Sequence, residues 1–150
     1  MNVIVVGVDN SEGAKAALAF AHEEARLRNA TLRAVHAWQF GYVGYTGFEG
    51  SVPAIGGDIH ELRAAATEAL AATVREALPD YGDVKVEQLV VEGTPGAVLV
   101  DQSHNADLLV VGSRGHGGFA QLLLGSVSQQ CAQHAACPVV IVRSKPHAST

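Results

Sequence analysis

The fold is decided by ADLLVVGSRGHGGFAQLLLGSVSQ, which spans residues 106–129. The stretch opens with a continuous apolar run, and five glycines follow between residues 112 and 125. An unbroken apolar run of this length is typical of a strand buried on both faces of a parallel sheet. Glycines after such a strand let the backbone approach a ligand closely. The stretch therefore predicts a parallel α/β fold with a glycine-rich binding loop, the alternative being a plain turn followed by a serine cap.

Apolar runs alternate with helical patterns along the rest of the chain. Strands are predicted at 3–9, 31–38, 84–93, 106–112 and 138–143, and helices at 10–29, 58–78, 95–104 and from about 127 to a residue before Pro138. This alternation predicts an α/β fold, a single-domain open five-stranded parallel sheet with helices on both faces. Right-handed crossovers favour the strand order 3-2-1-4-5, with 2-1-3-4-5 as the alternative.

The composition is that of one globular domain, expected to span 1–150 with a flexible tail at 144–150. Apolar residues make up 48% and charged residues 17%, and the net charge of −5 comes without a basic cluster, so nucleic acid is not an expected partner. The first apolar run is too short to span a membrane and lacks the charged start of a signal peptide, which predicts a cytoplasmic protein without membrane contact. Cys131 and Cys137 are too few for a disulfide framework, and we expect them to be structural or inert, with a redox role as the alternative.

A long segment between the second strand and second helix departs from this regular alternation. Residues 39–57 contain six glycines and four aromatic residues. A loop of this length inside a compact domain is usually functional or mobile. It is either a lid over a ligand pocket or a surface loop that varies freely or contacts another subunit.

The glycine-rich stretch fits one phosphate-binding chemistry better than two others. The pattern GxxxxGK[ST] is absent, and GHGGFA at 115–120 matches a dinucleotide loop but follows the wrong strand and has no acidic residue about 20 positions later. A helix that starts after Gly125 instead offers free N–H groups and a positive dipole end to an anion. In the favoured strand order, the ends of strands one and four, at Asp9 and Gly112, flank the crevice where ligands bind in such sheets.

The spacing Gly112-x2-Gly115-x9-Gly125-Ser126 resembles the ATP-binding signature of the universal stress protein family. The likeness extends over nearly the whole chain, through VIVVGVDNS, ADLLVVGSRGHGG, GSVSQ and CPVVIVR. It implies an adenine-nucleotide alpha-hydrolase-like fold with bound ATP, and AMP or cAMP can fill the same pocket. The residues that it implies for ribose and phosphates are Gly112, Arg114, Gly115, Gly125, Ser126, Val127 and Ser128.

Two further positions follow from the resemblance. Asp9 corresponds to the acidic residue near the nucleotide, where its carboxylate can bind Mg²⁺ together with phosphate oxygens. The alternative for Asp9 is a cap on the following helix. Val35 corresponds to the position whose backbone meets adenine.

The sequence favours binding over catalysis, because it offers no evident base or acceptor site for phosphoryl transfer. The resemblance implies a nucleotide-dependent regulator or sensor in the stress response, with at most slow ATP hydrolysis. One alternative is an ATP-using enzyme of the related fold, although such enzymes carry an SGGxDS-like loop where this chain has VDNSEGAK. Another is a nucleotide-free interaction module.

The strand at 138–143 is predicted to lie at an edge of the sheet, where a long apolar strand can pair with another chain. The resemblance implies a homodimer through this edge. The alternative is that Arg143 and the tail at 144–150 shield the strand.

Overall fold

The computed structural model describes residues 2–9, 11–39, 59–113 and 124–143. These residues form β1 Val3–Gly7, α1 Glu12–Arg28, β2 Thr31–Trp38, α2 Ile59–Ala77, β3 Val86–Glu92, α3 Pro95–Ser103, β4 Leu108–Gly112, α4 Ser126–His134 and β5 Val139–Val142. The elements occur in the predicted order and at nearly the predicted positions. The α/β alternation read from the apolar runs is therefore confirmed.

The five strands form one parallel sheet with the order β3-β2-β1-β4-β5. The predicted order 3-2-1-4-5 is confirmed, and the alternative 2-1-3-4-5 is excluded. The β1–β2 ladder ends at the pair Gly7–Val35, and the β1–β4 ladder ends at Val6–Val110. The chain winds in opposite directions on the two sides of β1, so the connections after β1 and β4 diverge and leave a crevice between them.

Strand β1 is buried on both faces, as its unbroken apolar run predicts. Ile4 and Val6 belong to the apolar cluster formed with α1 and α2, whereas Val5 belongs to the cluster formed with α3 and α4. All three side chains are fully buried. Full burial of one such side chain contributes about 1.5–3 kcal/mol. The central strand thus joins both helical layers and fixes the position of its own carboxyl end.

The helices present polar outer faces. In α1 the buried positions are mainly alanines and Leu18, while its last turns carry the exposed ion pairs Arg26–Glu23 and Arg28–Glu24. None of the helices in the described ranges is both long and apolar enough to cross a lipid bilayer.

Strands β3 and β5 lie at the two edges of the sheet. Strand β5 is only four residues long, and all four side chains are half-buried. Along β5, successive residues point their backbone N–H and C=O groups alternately toward β4 and away from it. The carbonyls of Pro138 and Val142 face β4, since they accept hydrogen bonds from the Leu109 N–H and the Ser113 N–H. Val139 and Ile141 therefore direct their backbone groups away from β4, toward the open side of the edge.

Candidate functional site

Two glycines lie close together at the carboxyl end of the sheet. Gly112 is the last residue of β4, and Gly13 lies in the first turn of α1. A Cβ atom placed on Gly112 would lie 3.3 Å from the carbonyl oxygen of Gly13. The lack of side chains thus brings the end of β4 against the start of α1. We call this region, with the start of α4 beside it, the crevice.

Helix α4 starts at the same end of the sheet. Gly125 is its N-cap residue, and the Gly125 N–H donates to the Ser113 carbonyl at 2.8 Å. Ser126 is exposed and Val127 is half-buried, and the backbone N–H groups of this first turn have no partner inside the helix. The turn contains no acidic residue to neutralise the positive end of the helix dipole. The arrangement suits an anion at the mouth of the crevice.

Ser128, which is predicted to contact the ribose or phosphates, is buried and hydrogen-bonded within the chain. Its side chain is 1% exposed, and its hydroxyl donates to the Ser113 carbonyl at 3.0 Å or the Gly125 carbonyl at 3.1 Å. A hydroxyl has one hydrogen, so a Ser128 that donates inward donates nothing to a phosphate. Ser128 therefore ties α4 to the end of β4, and Ser126 is the serine exposed at the helix start.

Asp9 follows β1 and leads the chain into α1. Its Oδ1 accepts hydrogen bonds from the Ser11 N–H at 2.9 Å and from the Ser11 hydroxyl at 2.5 Å. Ser11 occupies the N-cap position without a side-chain cap of its own. Asp9 thus supports the start of α1, as the capping alternative expects. Both bonds use Oδ1, so Oδ2 is the oxygen that a cation in the crevice would contact.

Val35, whose backbone is predicted to meet adenine, lies in the last pair of the β1–β2 ladder. Its side chain is 1% exposed, and its carbonyl accepts a hydrogen bond from the Val8 N–H at 2.9 Å. Along a parallel strand, alternate residues direct their backbone groups to the same neighbour. The next β2 residue facing the β1 side is Ala37, beyond the last β1 pair. Ala37 is thus a further β2 residue whose backbone faces this end of the sheet, and the pairing register identifies it where no pattern in the sequence does.

Several predicted features lie outside the described residues. They are Arg114, Gly115, residues 40–57 of the long segment and the tail at 144–150. Of the remaining predicted site residues, Gly112 lies against Gly13, and Gly125 is tied to Ser113 at the start of α4 together with Ser126 and Val127. Asp9 follows β1 at the same end of the sheet, and Ser128 is hydrogen-bonded to Ser113.

His36 is a further residue at this end of the sheet that sequence reasoning did not assign. Its Nδ1 lies 2.8 Å from the Val8 carbonyl oxygen. Because a carbonyl only accepts, Nδ1 carries the hydrogen. The contact depends on where β1 leaves β2, which no local pattern in the sequence reveals.

The thiols and the metal-ligating side chains give no second site in the described ranges. Cys131 is fully buried, and burial raises the pKa of its thiol to about 11, which fits the expected structural role. No three His, Cys, Asp or Glu residues in the part of the chain that the structure describes are grouped to hold a metal ion.

Fold and crevice together define a class: open parallel α/β proteins that bind ligands where the strand winding reverses. Within this class, the chain belongs to the universal stress protein family, whose sequence profile matches residues 1–143. The family predicted from the glycine spacing is therefore confirmed.

Two relatives illustrate the range of the family. Universal stress protein Rv2623 of Mycobacterium tuberculosis is 38% identical over 140 residues, which cover 93% of this chain and 44% of that protein. A universal stress protein of Thermus aquaticus is 34% identical over 144 residues, covering 93% of this chain and 97% of the relative. The chain thus spans about half the length of the mycobacterial relatives and nearly all of the Thermus one.

Solved structures share the fold. UspA of Lactobacillus plantarum superposes with a TM-score of 0.74 at 23% identity, covering 95% of this chain and 97% of that one. A universal stress protein in complex with cAMP has a TM-score of 0.59 at 29% identity, covering 94% and 95%. The Archaeoglobus fulgidus protein in complex with dAMP has a TM-score of 0.59 at 24% identity, covering 95% and 98%. These structures have the adenine-nucleotide alpha-hydrolase-like fold, which confirms the predicted fold class.

Proposed function

We propose that this chain binds an adenine nucleotide in the crevice and acts as a nucleotide-dependent regulator of the stress response. The observation that supports the proposal is the close approach of Gly112 to Gly13, which brings the end of β4 against the start of α1, while the start of α4 is tied to Ser113 beside it. Two structural neighbours are complexes with cAMP and dAMP, which supports an adenine ligand.

ATP with Mg²⁺ is the ligand that the residues fit best. The signature spacing Gly112-x2-Gly115-x9-Gly125-Ser126 is complete in the sequence. The first turn of α4 supplies N–H donors and a positive dipole end for phosphate oxygens. Asp9 Oδ2 would hold Mg²⁺ together with those oxygens, which is the ligand combination that Mg²⁺ prefers. A protein of the cytoplasm, where ATP is abundant, would keep such a site occupied.

We place binding rather than turnover at the centre of the function. Phosphoryl transfer requires an oriented nucleophile as well as phosphate positioning. Asp9 uses Oδ1 to hold Ser11, and the nearby serine hydroxyl of Ser128 is committed to backbone carbonyls. Steady ATP consumption with a second substrate would instead support an ATP-using enzyme.

cAMP is a second candidate ligand, favoured by the neighbour in complex with cAMP at 29% identity. It shares adenine and one phosphate with ATP but has no triphosphate tail to recruit Mg²⁺ at Asp9. Mg²⁺ dependence of affinity therefore distinguishes the two candidates.

The test is calorimetric titration with ATP, ADP, AMP and cAMP, with and without Mg²⁺, on the wild type and on Gly115→Val. We expect Mg²⁺-dependent ATP binding that Gly115→Val abolishes while the circular dichroism spectrum stays unchanged. Gly117→Val is the matched control, because it makes the same substitution in the same loop outside the signature. Equal ATP affinity in wild type and Gly115→Val would reject the assigned site.

We also propose a homodimer through the open side of β5, where Val139 and Ile141 direct their backbone groups. Ile141→Pro removes an outward N–H without touching the ladder to β4. Sedimentation should show a wild-type dimer and an Ile141→Pro monomer that remains folded. A wild-type monomer, or a dimer unaffected by Ile141→Pro, would contradict this edge.

A further inference from the structure

The contact between His36 and Val8 lies where β1 leaves the sheet. The Val8 N–H still follows the ladder, because it donates to the Val35 carbonyl at 2.9 Å. In a continuing parallel ladder, the Val8 carbonyl would accept from the N–H of Ala37. It accepts instead from His36 Nδ1 at 2.8 Å.

Two consequences follow at the crevice. The imidazole satisfies a carbonyl at the end of β1, in a residue whose side chain is 4% exposed, and an unpaired buried carbonyl is costly. It also replaces Ala37 as the donor, so that the Ala37 N–H stays on the open side. The contact fixes the backbone one residue before Asp9, whose carboxylate is in turn set by Ser11.

We propose that His36 is a positioning residue of the crevice. Through its Nδ1–H bond to Val8 it ends the β1–β2 ladder and holds Asp9 and the Ala37 backbone in their binding positions. The inference rests on the proposed nucleotide function for its affinity effect, but its structural effect is measurable without ligand.

The most informative variants test whether a hydrogen-bond donor is needed at the position of His36 Nδ1. An asparagine carries its amide donor near the position of Nδ1, whereas leucine has no donor and glutamine places its amide nearer Nε2. We expect His36→Leu and His36→Gln to weaken ATP binding about tenfold, the upper end of what one hydrogen bond contributes. His36→Asn should stay within about threefold of the wild type.

His22 provides a matched control. It is also half-buried, and its Nε2 lies 2.9 Å from the Tyr81 carbonyl, away from the crevice. His22→Leu removes the same kind of bond and should lower the urea midpoint without changing ATP affinity. If His22→Leu weakens ATP binding as much as His36→Leu does, the effect is one of global stability and the inference fails.

Amide hydrogen exchange of Ser11, measured by NMR without nucleotide, gives an independent readout. Ser11 N–H donates to Asp9, so its exchange reports whether the turn is held. We expect about tenfold faster exchange in His36→Leu, with near wild-type rates in His36→Asn and His22→Leu. Unchanged exchange in His36→Leu would overturn the inference even if the wild type binds ATP. Faster exchange in a wild type-like fold that binds no nucleotide would uphold the positioning role and reject the nucleotide function.

Discussion

The two ends of the sheet carry similar aspartates in opposite surroundings. Asp9 follows β1 at the carboxyl end and accepts the Ser11 N–H at 2.9 Å. Asp107 precedes β4 at the amino end, where its Oδ2 accepts the Val3 N–H at 2.8 Å. Both carboxylates satisfy a backbone donor at a strand terminus, so hydrogen bonding alone does not distinguish a binding residue from a structural one.

The helix termini near each aspartate distinguish the two ends of the sheet. Each helix follows a strand and therefore begins at the carboxyl end and finishes at the amino end. At the amino end, Arg26 and Arg28 in the last turn of α1 offset the negative end of its dipole. At the carboxyl end, the first turns of α3 and α4 contain no acidic residue. The chain thus offsets both ends of the α1 dipole, since Glu12 lies in its first turn, whereas the starts of α3 and α4 keep their positive dipole ends without an acidic side chain in the first turn.

The largest expected effects come from replacing one glycine at each end of the sheet by valine. In Gly112→Val the added carbons would meet the Gly13 backbone, which we expect to cost about 1–3 kcal/mol of stability and to close the crevice, abolishing ATP binding. Gly82→Val, between α2 and β3, has open space but a φ of +63°, so it should cost about 1–2 kcal/mol through backbone strain. Urea unfolding and calorimetry measure the two effects.

In this pair, stability should fall in both variants, but binding should be lost only in Gly112→Val. Retained ATP affinity in Gly112→Val would show that the crevice is not the site. Reduced affinity in Gly82→Val would show that any loss of stability impairs binding.

The aspartates themselves give the next largest effect. Asp9→Asn keeps an oxygen that can accept from Ser11 but removes the charge, so we expect ATP affinity in Mg²⁺ to fall about tenfold, or about 1.4 kcal/mol. Without Mg²⁺ the variant should bind ATP as well as the wild type or better, since a carboxylate repels phosphate. Asp107→Asn likewise keeps an acceptor for Val3 and should leave both affinities unchanged. Calorimetric titrations with Mg²⁺ and with EDTA measure these affinities. If Asp9→Asn still binds ATP more weakly than the wild type in EDTA, Asp9 acts only by holding the turn and not by binding Mg²⁺.

The order and type of the strands and helices could be predicted because local residue patterns along the sequence indicate them. Continuous apolar runs such as that around Ile4 and Val6 mark strands covered on both faces, and the helical patterns between them force parallel crossovers. Gly112 is the last residue of a strand, so its place at the carboxyl end of the sheet followed from the topology.

The detailed tasks of side chains were not predictable in the same way. In the sequence, Ser126 and Ser128 are two equivalent serines near a helix start. Only the burial of each residue in the structure shows that Ser128 faces inward. The places of Val35 and Ala37 relative to the end of β1 follow from the register between β1 and β2, which depends on where Val8 leaves the ladder. His36 became visible only through that same three-dimensional detail.

The two serines provide the finest test, because the structure assigns them opposite consequences. Ser126→Ala removes an exposed hydroxyl at the start of α4 and should cost roughly 0.5–1.5 kcal/mol of ATP affinity with little change in the urea midpoint. Ser128→Ala removes an inward donor, and we expect it to cost about 1 kcal/mol of stability while ATP affinity, measured well below the unfolding transition, changes less than in Ser126→Ala. The Ser113 carbonyl keeps its bond from the Gly125 N–H in this variant, which limits the loss. If Ser128→Ala weakens binding more than Ser126→Ala does, the Ser128 hydroxyl must turn outward when nucleotide binds. Ser128 would then be the serine that binds the ligand, in place of Ser126.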